Sequence, residues 1–197
     1  RNMAVTLDRA KPKDVEIKHT CVENLTCTPT VHISGCTFTR HSTRGILATT
    51  PRKVVIERNN FSHLGMAAIL IEGDAEGWFE SGPVQDVTIR NNTFIDCGFN
   101  GATAGATIAL NPSNTVINPS APVHENVTIT ENRFDTFGRP VLYAKSTGNI
   151  TFSGNEIEGD YTPVFIFTGC SDVKISGNDM TAPDVKKKEC KRIKVGK

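Results

Sequence analysis

A short alternation of apolar and polar positions recurs along this chain. It reads apolar, any, apolar, any, any, Asn (usually), any, apolar. Copies stand at 31–38 (VHISGCTF), 54–61 (VVIERNNF), 87–94 (VTIRNNTF), 127–134 (VTITENRF), 150–157 (ITFSGNEI) and 173–180 (VKISGNDM). Their first residues are 23, 33, 40, 23 and 23 positions apart. A base period of 23 residues, twice lengthened, predicts a solenoid of stacked coils. A weaker copy, VEIKHTCV, begins at Val15.

Each copy opens with β-branched and polar residues in strict alternation, as in a strand with one buried face. The polar position that follows is Asn59, Asn92, Asn132, Asn155 or Asn178, and Cys36 in the first copy. An Asn repeated at one angular position of a solenoid can bond the coils above and below and satisfy the turn backbone. Next comes an inward apolar residue: Phe38, Phe61, Phe94, Phe134, Ile157 and Met180. A second apolar strand starts fifteen residues into most copies, at Ile46, Ile69, Leu142 and Phe165. In the copy at Val87 it is displaced by an insertion to 107–110 (TIAL). No stretch has ten or more residues of clean helical periodicity with caps, as a βαβ fold would need. The pattern therefore predicts an all-β chain, a right-handed single-stranded parallel β-helix (a pectate-lyase-like solenoid) of about seven coils.

Composition adds little to the fold. The 197 residues suit one domain, 1–197, with a net charge of +1. The balance is uneven, because 186–197 (KKKECKRIKVGK) holds seven Lys/Arg and one Glu, leaving 15 basic against 20 acidic residues elsewhere. We expect this segment to be a solvated basic tail closing or trailing the last coil. No aromatic residue interleaves its charges, so no nucleic-acid partner is expected. No apolar run approaches eighteen residues, so no membrane partner is expected either. The six cysteines (21, 27, 36, 97, 170, 190) form no C-x-x-C and no zinc grouping, and Cys36 falls on the buried side of the coil pattern. Mostly free thiols are expected. The histidines (19, 32, 41, 63, 124) lack ligand spacing and most read as surface or turn residues, so no metal and no cofactor are expected.

The chemistry should sit on the lengthened coils, because loops on a rigid solenoid carry sites. The first insertion, 72–86 (EGDAEGWFESGPVQD), holds Glu72, Asp74, Glu76, Glu80, Asp86 and the only tryptophan, Trp78. An aromatic face beside carboxylates suits a sugar: the ring stacks on the C–H face and the acids accept hydroxyl hydrogen bonds. Glycosidic cleavage also uses paired carboxylates. Asp74 and Glu80 are the catalytic candidates; Trp78, Asp74, Glu80, Glu72 and Arg44 are the substrate-binding candidates. Arg44 and Arg52 flank the second strand of the first full coil and are expected to pair with the insertion's acids. The second insertion, 97–125, reads as one long irregular loop that can wall the same face, with Asp96, Asn100 and Asn111 as polar contributors.

These residues also resemble a known family. The runs 44–59 (RGILATTPRKVVIERN), 68–89 (AILIEGDAEGWFESGPVQDVTI) and 140–146 (PVLYAKS) resemble the C-terminal β-helical coils of glycoside hydrolase family 110. The signature is G-D-A-x-x-W-[FY]-E-S-G at 73–82 followed by V-x-I-x-x-N, and the resemblance covers about 15–180. It implies an exo-acting, inverting α-galactosidase that removes terminal α-1,3-linked galactose without a metal, in a secreted or periplasmic bacterial protein. It also implies catalytic aspartates on upstream coils that include an adjacent Asp pair. This sequence has no Asp-Asp and opens Arg1-Asn2-Met3, so a piece of a larger enzyme is expected, possessing exposed coil ends able to make a homo-oligomer. Two other readings stay open: a β-helix that binds glycans or scaffolds without cleaving them, and another sugar-cleaving β-helix.

Overall fold

The computed structural model describes residues 22–75, 77–79 and 82–196, together with Thr6, Asp8, Ala10 and Lys13. The chain winds as repeated triplets of short strands. The first coil holds β1 (Val31–Ser34), β2 (Thr37–His41) and β3 (Ile46–Ala48), and the second β4 (Val54–Glu57), β5 (Asn60–Leu64) and β6 (Ile69–Ile71). The third holds β7 (Gln85–Arg90), β8 (Thr93–Cys97) and β9 (Ile108–Leu110), and the fourth β10 (His124–Thr130), β11 (Arg133–Asp135) and β12 (Leu142–Lys145). The fifth holds β13 (Thr147–Ser153), β14 (Glu156–Ile157) and β15 (Val164–Thr168). The sixth holds β16 (Ser171–Ser176) and β17 (Asp184–Lys188), and a seventh begins with β18 (Lys191–Val195).

Three parallel sheets result. The first face runs β1-β4-β7-β10-β13-β16-β18, the second β2-β5-β8-β11-β14 and the third β3-β6-β9-β12-β15-β17. Register follows the repeat: Val31 pairs with Val54, Val54 with Val87, Val87 with Val127, Val127 with Ile150 and Ile150 with Val173. The weak copy at Val15 lies, apart from Val22, outside the described residues. The seventh coil comes instead from the expected basic tail. Ile193 pairs with Val173 and Val185 with Phe165, so 184–195 adds two strands to the stack while most of its side chains stay exposed. The alternation in that segment survives beneath its lysines, but its register step is three residues short of the usual period, which hides it.

Side chains fill the inside as ladders. Phe38, Phe61, Phe94 and Phe134 stack with ring centroids 4.8–5.0 Å apart, the spacing that strand pairing imposes. At the corner between the first and second faces stands the asparagine ladder. Asn132 shows its chemistry: its side-chain oxygen accepts from the Asn92 amide at 2.9 Å and from Asn92 Nδ2 at 3.0 Å. Its own Nδ2 donates to Ile89 O, Thr130 O and Asn155 Oδ1. The residue before each ladder position is left-handed, at Gly35, Arg58, Asn91, Glu131, Gly154 and Gly177. Glycine takes that backbone without strain, and the ladder's hydrogen bonds hold the other three residues in it. Cys36 ends the ladder and is exposed, not buried as expected, although its amide still donates to Asn59 Oδ1.

Candidate functional site

The first insertion leaves the third face after β6 and rejoins the first face at β7. Its stem is pinched: a Cβ on Gly73 would sit 2.4 Å from Gly82 O and 3.5 Å from His124 Cε1. Glycine at 73 is therefore a requirement of close approach. Within the loop, Asp74 holds the turn. Its Oδ1 accepts from the Gly77 amide at 2.8 Å and its Oδ2 from the Trp78 amide at 3.0 Å. That grip presents Trp78 outward with 81% of its surface exposed, next to Phe79 at 72%. Two large aromatic faces left in water on a solenoid loop suit a ligand that offers C–H surface. Glu72 and Asp74 are half-buried at the loop's start. Glu76 and Glu80 lie outside the described residues.

His124 stands beneath the stem. It is fully buried at the start of β10, against the expectation of a surface or turn histidine. Its Nδ1 accepts from the Val84 amide at 3.0 Å, which leaves the ring proton on Nε2, and that nitrogen has no partner. Burial pushes its pKa down to about 4, so the imidazole is neutral at pH 7. A single histidine without ligand spacing gives no sequence signal for such a role.

The second insertion is not one loop. Residues 98–107, with a 3-10 turn at Ala102–Gly105, bulge between the second and third faces. Asp96 and Asn100 belong there, where Asp96 meets Arg139 at 2.5 Å and Asn100 Oδ1 accepts from the Ala102 amide. Residues 111–123 lie at the other corner, beside the first insertion. The Ser113 amide donates to Gly73 O at 2.9 Å and that of Asn111 to Ile71 O at 2.8 Å. From there the segment runs along successive coils: Asn114 Nδ2 donates to Ser146 Oγ at 2.8 Å, and Lys191 Nζ reaches Ser120 Oγ at 2.6 Å. The expectation that both insertions wall one face thus holds for 111–123 and not for 98–107.

The arginines do not meet the insertion's acids as expected. Arg44 precedes β3, whereas the insertion leaves the far end of the paired strand β6; it lines a small cavity with Phe38, His41 and Leu64 at the opposite corner. Arg52 is at the right corner, but its Nε donates to Thr28 Oγ1 and its Nη2 to Leu25 O. An acid that sequence reasoning missed is Glu57, buried at the end of β4. Arg90 and Arg58 reach it at 2.7 Å and His32 at 3.0 Å. The Arg90 hydrogen bond, chiefly, holds its pKa below the ordinary carboxylate value. A leaving-group acid needs the reverse, so Glu57 does not suit that role. Among the described residues no three His, Cys, Asp or Glu side chains gather as a metal site requires.

The family model described as the right-handed β-helix region matches residues 21–180. The chain belongs to that family. Within it, the β-helix is 53% identical over 185 residues to the alpha-1,3-galactosidase A of Bacteroides fragilis, covering 90% of this chain and 31% of that protein. It is 43% identical over 184 residues to the alpha-1,3-galactosidase A of Streptomyces avermitilis, covering 89% and 28%. It is 41% identical over 167 residues to the alpha-1,3-galactosidase B of Bacteroides thetaiotaomicron, covering 80% and 27%. The chain therefore spans about a third of the length of the curated relatives it matches, and its resemblance to α-1,3-galactosidases extends over most of its own length.

Proposed function

We propose that these coils are part of the catalytic β-helix of an exo-acting, inverting α-galactosidase that releases terminal α-1,3-linked galactose. The observation that carries the reading is the loop at 73–82, where Asp74 fixes an exposed Trp78 on a rigid stem. The names of the relatives support the substrate class. In this reading Trp78 stacks on the sugar and Asp74 positions it through the loop backbone. An enzyme acting on external glycans works outside the cytoplasm, so secretion or a periplasmic location goes with the proposal.

The decisive assay measures release of galactose from an α-1,3-galactoside by the full-length polypeptide. Trp78→Ala should lower kcat/KM about a hundredfold, roughly 3 kcal/mol, with the melting temperature unchanged. A loss under about threefold would remove Trp78 from the site.

One observation favours a second reading for these coils. Both Asp74 oxygens already accept loop amides, a geometry suited to holding a shape rather than moving a proton. On that reading the coils bind the glycan without cleaving it. Heat of binding to an α-1,3-galactoside with no product released by the full-length polypeptide would select it.

A further inference from the structure

Two cysteines outside this site stand in one column of the solenoid. Cys170 directly precedes β16 and Cys190 directly precedes β18, and those strands pair in register with Ser171 opposite Lys191. The Lys191 amide donates to Cys170 O at 2.9 Å, and the Cys170 amide donates to Cys190 Sγ at 3.4 Å. In-register residues of neighbouring parallel strands lie ~4.8 Å apart, inside the ~4.4–6.8 Å Cα separation that a disulfide spans. Both thiols are free in the structure. Cys170 is fully buried, with its Sγ 3.3 Å from Ala144 O, while Cys190 is half-buried and approachable.

We propose that Cys170 and Cys190 are a redox-active pair that closes to a disulfide under oxidising conditions and locks the seventh coil onto the sixth. The bond would turn one complete winding of the solenoid, 170–190, into a covalent ring. The reaction needs an oxidant, and a small-molecule disulfide such as oxidised glutathione suffices. Cys190 thiolate attacks one sulfur of the oxidant, forming a mixed disulfide and expelling one glutathione thiolate. Cys170, losing its proton to solvent, then attacks Cys190 Sγ and expels the second glutathione thiolate. Two protein thiols are oxidised and one glutathione disulfide becomes two thiols.

The local chemistry supports that order. Hydrogen bonding from the Cys170 thiol, then from the Cys170 amide, moves the Cys190 pKa down, whereas the same thiol contact and burial move that of Cys170 up. The accessible sulfur is the one favoured as thiolate, as an attacking cysteine requires. The lysine-rich seventh coil has the most to gain. Strands β17 and β18 are the outermost of their sheets, and their side chains are mostly exposed.

The test equilibrates the full chain with oxidised or with reduced glutathione, then denatures it, alkylates free thiols and maps peptides by mass. The proposal expects two of the six cysteines to escape alkylation after oxidation, in a linked peptide carrying Cys170 and Cys190, and all six to be alkylated after reduction. It also expects trypsin cleavage within 186–194 to slow by at least about tenfold on oxidation. Cys190→Ser should abolish both changes while keeping the β-rich circular dichroism spectrum, and it carries the control if Cys170→Ser fails to fold. Full alkylation after oxidation, glutathione retained on Cys190, or a linkage between other cysteines would each overturn the proposal. None of these outcomes depends on glycosidase activity.

Discussion

His124 shows how one buried side chain sets a pH limit. In the unfolded chain a histidine takes up its proton near ~6.5, whereas the folded His124 does so only at about 4. A depressed histidine pKa means that the unfolded state binds the proton first, so stability falls as pH drops through that window. We predict a loss of about 3 kcal/mol between pH 6.5 and 4, read from urea melts, and absent in His124→Gln. Glu57 and Asp172, held down by Arg90 and Arg192, add losses only at lower pH, as each falls through its unfolded value toward its folded one. Protonating His124 also removes the acceptor for the Val84 amide, so the loop stem should loosen over the same range. Asp74 gives a second residue-scale prediction. Asp74→Ala frees two amides, whereas Asp74→Asn keeps one acceptor oxygen. Galactoside hydrolysis should therefore suffer more from Ala than from Asn; equal losses would assign Asp74 a charge-dependent role instead. The role of His124 was not legible from residue types, because a lone histidine gains its meaning from the segments packed on it; Asp74 was legible as a site candidate, but not as the residue that holds the turn.

At the scale of elements, the strands of the first and third faces were legible and those of the second were half so. Val54 with Ile56, and Ile69 with Ile71, announce their strands by alternation. The second-face strands show one apolar residue at the repeat position, a phenylalanine or Ile157, and the next buried ones, Leu64 in β5 and Cys97 in β8, come three positions later, out of alternation. Sequence reading therefore saw an apolar point where the structure has a strand. The asparagine ladder was legible, since its period survives the lengthened coils. Its energetics make a clear prediction. Asn132→Ala would leave the Asn92 amide without its acceptor and take a donor from the Ile89 and Thr130 carbonyls, at a cost of about 3 kcal/mol, comparable to the ~3–5 kcal/mol expected for Phe94→Ala. Chemical denaturation of both variants checks the ranking; an Asn132→Ala loss below about 1 kcal/mol would mean that water replaces the ladder. The strand that divides the second insertion was legible, since TIAL at 107–110 marks β9; what the sequence did not show is that the stretches before and after it lie at different corners.

The whole molecule is a stack with two unlike ends. At the first coil, Val31, Ile33 and Phe38 are only half-buried. At the other end, Lys187 of β17 in the sixth coil occupies the register position of the buried Phe167 and is exposed. A charge at that register position discourages another coil from stacking, a common guard for sheet edges. The lysine cluster is thus part of the last two described strands of the stack. Lys187→Val should promote association at that end, visible as a rise in scattered light with concentration; scattering equal to that of the unsubstituted chain would show that the remaining lysines guard the edge without it.

The account rests on the loop at 73–82 holding a sugar against Trp78. As Trp78 is the only tryptophan of this chain, its fluorescence under titration with α-1,3-galactobiose is the direct measurement. A saturable shift in emission that disappears in Gly73→Val, where the pinched stem cannot close, is the expected result. Emission that stays constant up to sugar concentrations of about 50 mM, far above ordinary glycosidase working levels, would contradict the account.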